Sequence, residues 1–186
     1  MKRVEITKDN VAKVFGSLQQ LVGQRVLIGI PESTNHRDED AINNAQIGYI
    51  HEFGSPASNI PARPFLIPGV KKAEKPALEQ LKKAATAALD GESKKADQAL
   101  NAAGIIGMNA ARTEIGSNIP PPLSPDTVRN RKYQRGTKSR RANEQQYLDL
   151  VANGTPPADA QAQAGIVSLV NTGQLRNSLT YVVRKK

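Results

Sequence analysis

The chain has 186 residues, 26 Lys and Arg against 17 Asp and Glu, and a net charge of +9, a length that favours one domain with appendages. Cysteine is absent and His36 and His51 are the only imidazoles, which excludes disulfides, thiolate metal sites and a zinc or cysteine enzyme. No apolar run approaches the roughly 20 residues that span a bilayer, and Met1-Lys2-Arg3 leads into no apolar segment, so a soluble protein of a reducing cytoplasm is expected.

From Asn10 to Val22, Val11, Val14, Phe15, Leu18, Leu21 and Val22 recur at steps of three and four, one face of an amphipathic helix that Gly23 can stop. Arg25-Val26-Leu27-Ile28-Gly29-Ile30 is rich in branched side chains, meets Pro31 and reads as a strand. Residues 31–40 are polar after the proline and read as a mobile loop. Ala41 to Phe53 reads as a helix capped by Asp40 and ended by Gly54. Residues 55–68 hold Pro56, Pro61, Pro64 and Pro68, whose missing N–H groups argue against a regular helix and for an ordered extended loop.

Lys75 to Asp90 carries a stripe of Leu78, Leu81, Ala85 and Leu89, with Pro76 in the first turn and Glu79 one turn before Lys83. Ser93 to Ile115 repeats Ala96, Leu100, Ala103, Gly107 and Ala110 at helical steps. Joined by Asp90-Gly91-Glu92, the two segments predict an alanine-rich helical hairpin. Pro120-Pro121-Pro122 breaks the pattern, and Ser124-Pro125 opens a helix that runs into the basic stretch. Glu144 to Ala152 reads as a helix closed by Pro156-Pro157, and Leu179 to Val183 alternates like a strand. One strand near each end predicts a small antiparallel sheet. The fold class expected is therefore α+β, a small antiparallel sheet flanked by several helices, with long loops and a basic arm or insertion at 129–165, in a single domain covering 1–186.

The seven aromatic residues, three Phe and four Tyr, are few, and alanine recurs throughout. Alanine buries little area, so the core is expected to be thin and to borrow stability from neighbouring subunits. Charge is uneven: residues 1–100 hold 14 basic and 12 acidic groups, residues 101–186 hold 12 and 5. Arg129, Arg131, Lys132, Arg135, Lys138, Arg140 and Arg141 follow one another with no acid between them. Seven cations this close are expected to stay out of a packed core. They suit three roles: a solvated arm, docking on an acidic protein surface, or phosphate contact with Tyr133 as a stacking residue.

His51-Glu52 lacks the second histidine a zinc protease needs, and no nucleophile elbow, phosphate-cradling glycine loop or EF-hand spacing occurs. Ile60-Pro61-Ala62-Arg63-Pro64-Phe65-Leu66-Ile67-Pro68 is the most unusual segment. Its prolines reduce the entropy lost on presenting Arg63, Phe65 and Leu66 to a partner subunit. The alternative is a rigid internal connector with Phe65 anchored in its own core.

Ala45-Gln46-Ile47-Gly48-Tyr49-Ile50-His51-Glu52-Phe53-Gly54 followed by Ile60 to Leu66 resembles the hallmark of tailed-bacteriophage neck and tail-completion proteins, including the lambda minor tail protein Z and Mu virion-morphogenesis types. Pro122 to Val128 with the basic cluster, and Leu169-Val170-Asn171-Thr172-Gly173-Gln174-Leu175-Arg176-Asn177-Ser178-Leu179, are similar to the later blocks of that family, in the same order. The link from Arg141 to Gly165 is longer than the family pattern. The resemblance implies a structural virion protein without catalysis or cofactor, assembled in the bacterial host cytoplasm as a homo-oligomeric ring at the head–tail junction. Its expected partners are a portal or head-closure protein, tail terminator or tail tube proteins, and genomic DNA in the channel, with no membrane. The interface residues so implied are His51, Glu52, Phe53, Pro61, Arg63, Pro64, Phe65, Leu66, Thr172, Gly173 and Leu175, with the seven cations against DNA or an acidic partner. The competing reading is a basic nucleic-acid-binding protein acting alone.

Overall fold

The computed structural model describes residues 10–31, 42–132 and 138–185, with Lys132 described by its backbone alone. In chain order its elements are α1 (Val11–Val22), β1 (Gln24–Gly29), α2 (Asn44–Phe53), α3 (Leu66–Lys72), α4 (Glu74–Leu89), α5 (Ser93–Ile115), α6 (Pro125–Lys132), α7 (Lys138–Ala152), α8 (Pro157–Gln163), α9 (Gln174–Ser178) and β2 (Thr180–Lys185). The fold is α+β, mostly helical, and β1 pairs with β2 in a two-stranded antiparallel sheet across nearly the whole length of the chain. The loop expected at 31–40 lies, beyond Pro31, outside the described residues, as do the Asp40 cap and Arg135.

Contacts group the chain into two compact units where its length suggests one domain. Of the described residues, the first takes 10–28, 72–109 and 181–185, and its centre is the alanine hairpin of α4 and α5. Ala84, Ala99 and Leu100 pack with Leu21, Val26 and Val183, while Ala87, Ala88 and Ala96 receive Leu18 and Leu21. Small residues let the backbones approach closely. On α5, Gly104 lies against the Tyr181 ring and Gly107 against the Ile28 side chain, where a Cβ would collide.

Two expectations fail in this unit. The leucine stripe of α4, Leu78, Leu81 and Leu89 with Ala85, faces outward, and the buried face is Ala84, Ala87 and Ala88. On α1, Leu18 and Leu21 turn inward, but Val11, Phe15 and Val22 remain outside, Phe15 at 62% and Val22 at 68% exposure. The cause is polar. Asp97 on α5 accepts two hydrogen bonds from Gln20 Nε2 (3.0 and 2.9 Å) and one from Gln24 Nε2 (3.2 Å), and Ser17 Oγ meets Ser93 Oγ at 2.8 Å. These ties rotate α1 so that its Ser17 and Gln20 edge faces α5, because leaving such groups unpaired in the interior would be costly.

The second unit takes, of the described residues, 29–31, 42–71, 110–132 and 138–180. Leu123, Val128, Tyr147, Ala160, Ala164 and Ile166 form one of its cores, where α6 and α8 pack on α7. Tyr147 is fully buried and donates its hydroxyl to Leu123 O at 2.6 Å, and Leu123 N donates to Gln161 Oε1 at 2.7 Å. Ser124 Oγ accepts from Thr127 N and Pro125 opens α6, as the sequence suggests. The described parts of the basic stretch are helical: Arg129 and Arg131 lie in α6, and α7 starts at Lys138, since Lys, Arg, Ala, Glu and Gln are all good helix formers. Pro157 opens α8 at its first position instead of merely closing α7, and α9 is too short to show periodicity.

The proline loop also departs from expectation. Pro56–Ser58 is a 3₁₀ turn, and Pro68 lies within α3. α3 passes so close to α5 that a Cβ on Gly69 would lie 2.6 Å from Ala111 Cα and 3.0 Å from Ala111 N. Gly69→Ala is therefore expected to lower the unfolding free energy by about 1–3 kcal/mol despite the better helix propensity of alanine. Gly16→Ala, with nothing within 4 Å of its Cβ, should gain up to about 1 kcal/mol; urea denaturation of both variants checks the contrast.

Candidate functional site

α2 begins at a capping box, in which Asn43 Oδ1 accepts from Gln46 N (2.8 Å) and Gln46 Oε1 accepts from Asn43 N (3.0 Å). The helix ends at Gly54, whose φ of 79° falls in the region that favours glycine and whose Cβ would lie 2.9 Å from Ala62 N. The chain then doubles back: Ser55 and Ile60 exchange backbone hydrogen bonds of 2.8 and 3.0 Å, and Arg63 N donates to His51 O at 2.6 Å. That return brings the Pro-Ala-Arg-Pro-Phe segment alongside the end of α2.

Glu52 then does what no local residue does for α3. Its Oε2 accepts from Phe65 N and Leu66 N, both at 2.8 Å, and its Oε1 accepts from Ile67 N at 3.0 Å. The next residue is Pro68, which has no N–H, and Gly69 N closes the first turn on Phe65 O. Every donor a helix start leaves orphaned is thus either bound by one carboxylate or absent. Arg63 is buried, with Nε donating to Pro121 O (2.9 Å) and Nη2 to Pro122 O (3.2 Å).

Of the two readings of this loop, the internal connector matches these contacts. Phe65 is 1% exposed, and Glu52 and Arg63 are buried with their polar atoms committed to backbone partners, so these three side chains are not presented to a partner. The residues that do face outward around them are Phe53, Pro61 and Pro64, together with Tyr49 and Ile67, which the sequence reading passed over; Leu66 is half-buried. Tyr49 and Phe53 pack with ring centroids 4.8 Å apart and planes tilted by 49°.

The basic cluster divides in the same way. Arg131 Nη2 donates to Ser168 O at 2.6 Å and Nη1 to Val167 O at 3.4 Å. Arg140 Nη1 donates to Asn171 O at 2.9 Å, Nη2 to Arg131 O at 3.4 Å, and its Nε lies 3.3 Å from the buried carboxylate of Glu144. The expectation that all seven cations stay outside is overturned for these two, because a guanidinium can satisfy several carbonyl oxygens at once. Arg129 is exposed and paired with Asp126 at 2.6 Å; Lys138 and Arg141 are exposed.

These arginines bring together segments far apart in sequence. A cleft of about 300 Å³ is walled by Ile47 and His51 from α2, Arg131 from α6, and the run from Ser168 through Asn171, Thr172, Gly173 and Gln174 to Leu175. Gly173 takes a left-handed conformation at the entry to α9, which packs on α2. His51, Arg131, Thr172, Gly173 and Leu175, singled out from three separate motifs, therefore share one site. Asn171, Gln174 and Ser168 were not anticipated; they carry no chemical signature apart from lying in or next to the Thr-Gly block.

Burial, reinforced by the nearby charges of Arg63 and Arg131, holds the His51 imidazole below its usual range. Burial likewise lowers Arg131 to about 10; the charges of Arg140 and Arg63 add to this and the Glu144 carboxylate opposes it. At neutral pH the cleft thus holds a neutral imidazole beside a guanidinium that keeps its charge. His51 Nδ1 is buried and has no hydrogen-bond partner among the described residues. Among those residues no group of three or more His, Asp or Glu gathers to hold a metal.

Two outcomes follow from this geometry. Glu52→Gln puts an amide donor against backbone N–H groups and is expected to cost about 2–3 kcal/mol of stability, whereas Glu79→Gln at the exposed Lys82 pair should leave the denaturation midpoint unchanged. His51 resists protonation when folded, so below its unfolded value near 6.5 the unfolded chain binds the extra proton and stability falls as pH drops. Denaturation at about pH 8 and about pH 5 should show this loss in the native chain and a smaller one in His51→Asn.

No family model, curated protein or solved structure matches the chain.

Proposed function

We propose that the chain is a structural virion protein of a tailed bacteriophage, a neck protein that closes as a homo-oligomeric ring between portal or head-closure proteins and the tail, around the DNA channel, without catalysis of its own. The observation that carries this reading is the inverted burial of the first unit. Most of its buried core residues are alanines, while Val11, Phe15 and Val22 of α1 and Leu78, Leu81 and Leu89 of α4 stand outside. Large apolar side chains gathered on helix faces mark surfaces that a neighbour covers. Each keeps 38–68% of its surface exposed, so covering it is worth roughly half of the ~1.5–3 kcal/mol that full burial gives, before the entropy of association is subtracted. The ordered resemblance of the His-Glu-Phe-Gly, Pro-Ala-Arg-Pro-Phe and Asn-Thr-Gly-Gln-Leu segments to neck and tail-completion proteins supplies the setting. The inward turn of Arg131 and Arg140 supports this reading over a nucleic-acid-binding protein acting alone, because it leaves fewer cations for phosphates.

Sedimentation and negative-stain imaging of the purified chain test the proposal. A closed oligomer is expected for the native sequence, and Phe15→Glu combined with Leu89→Glu, both at exposed positions, should stay folded by circular dichroism and sediment as a monomer. A native chain that remains monomeric alone and with portal and tail proteins, or that binds duplex DNA tightly as a monomer with a steep salt dependence, would overturn it.

A further inference from the structure

We propose that the cleft between His51, Arg131 and the Thr172–Gln174 turn is a receptor for a single carboxylate, carried by a peptide segment of a partner protein. The inference stands on the cleft alone and does not require the ring. Among the described residues Arg131 makes no ion pair; its partners are the neutral carbonyls of Val167 and Ser168. Of the described carboxylates of this region, Glu52 is taken up by the start of α3, and Glu144 lies against Arg140 while its charge also acts on Arg131. Among the described residues, the three guanidinium groups of Arg63, Arg131 and Arg140 thus gather with two carboxylates, Glu52 and Glu144, beside a recess.

The walls match the chemistry of such a group. A carboxylate entering the cleft meets a charged donor in Arg131 and the imidazole of His51, both of which line it. Charge-assisted hydrogen bonds of this kind are about twice as strong as neutral ones. Thr172 and Gln174 are exposed and lie at the mouth, where polar contacts set direction. Ile47, Leu169 and Leu175 supply the apolar wall that an aliphatic stem would cover. The volume, about 300 Å³, sits at the lower end of ligand pockets and suits one side chain or a chain terminus. A duplex phosphate, fixed on a broad and uniformly charged backbone, does not enter a recess of that size.

The test is a heteronuclear NMR titration of the full chain at constant ionic strength with acetate, acetyl-glutamate amide, inorganic phosphate and a short DNA duplex. Both carboxylates are expected to shift the His51 imidazole and the amides of Thr172 to Leu175 saturably, with dissociation constants in the millimolar range. Thr172→Glu, which sets a competing carboxylate at the mouth on an exposed residue, should weaken acetyl-glutamate amide at least fivefold with the amide spectrum otherwise retained. Arg131→Gln should abolish binding, and because Arg131 also anchors two carbonyls, the Thr172 variant decides if that chain does not fold. No saturable shift at the cleft, equal binding by Thr172→Glu, or tighter binding of phosphate or DNA than of the carboxylates at these residues would overturn the proposal.

Discussion

The arrangement of the second unit around α2 rests on the Glu52 carboxylate. A buried acid is unfavourable unless its lone pairs are filled, and here three consecutive backbone N–H groups fill them. In return the start of α3 is held against the end of α2, although Phe65 lies 13 positions after Glu52 in the sequence. With both ends of the proline loop pinned, Phe65 has one place to go, which is inward. His51, one residue before Glu52, is fixed by the same geometry because Arg63 N binds its carbonyl oxygen. The wall of the cleft thus inherits its position from a helix cap.

Arginine does the comparable work on the other side. Arg63, Arg131 and Arg140 each bind backbone carbonyls of a segment remote in sequence: the proline run at 121–122, the stretch at 167–168 and Asn171. These segments are irregular and leave carbonyl oxygens that no ladder satisfies. A planar guanidinium with five donors can serve two or more of them without a precise backbone register. The arrangement stabilises loops at the cost of gathering positive charge, and that charge is what gives the cleft its character.

Much of the secondary structure was legible because it depends on local patterns. The α5 boundaries, the Gly54 stop, the Ser124-Pro125 start and the pairing of strands near each end all follow from caps, breakers and periodicity. What could not be read depends on partners distant in sequence. The four prolines argue against a helix at 66–72, yet Pro68 falls where a missing N–H is harmless once Glu52 supplies the cap. Likewise the run of cations reads as a solvated face, since nothing in its spacing reveals that carbonyls near 168 and 171 await Arg131 and Arg140. The cleft itself was visible only as separate motifs, and its convergence is a tertiary fact.

The same reasoning explains why the leucine stripe of α4 misleads. Periodicity locates an apolar face but does not say which apolar face is covered first. Two faces compete on α4: one of alanines, over which α1 and α5 can approach closely, and one of leucines, which holds neighbours further away. Within the chain the alanine face wins, because Asp97, Ser93, Ser17 and Gln20 lock α1 in the orientation that covers it. The leucine face then keeps much of its apolar area outside the core of this unit, with Leu78, Leu81 and Leu89 exposed. A thin alanine core and an apolar exterior are thus two consequences of one choice of packing face.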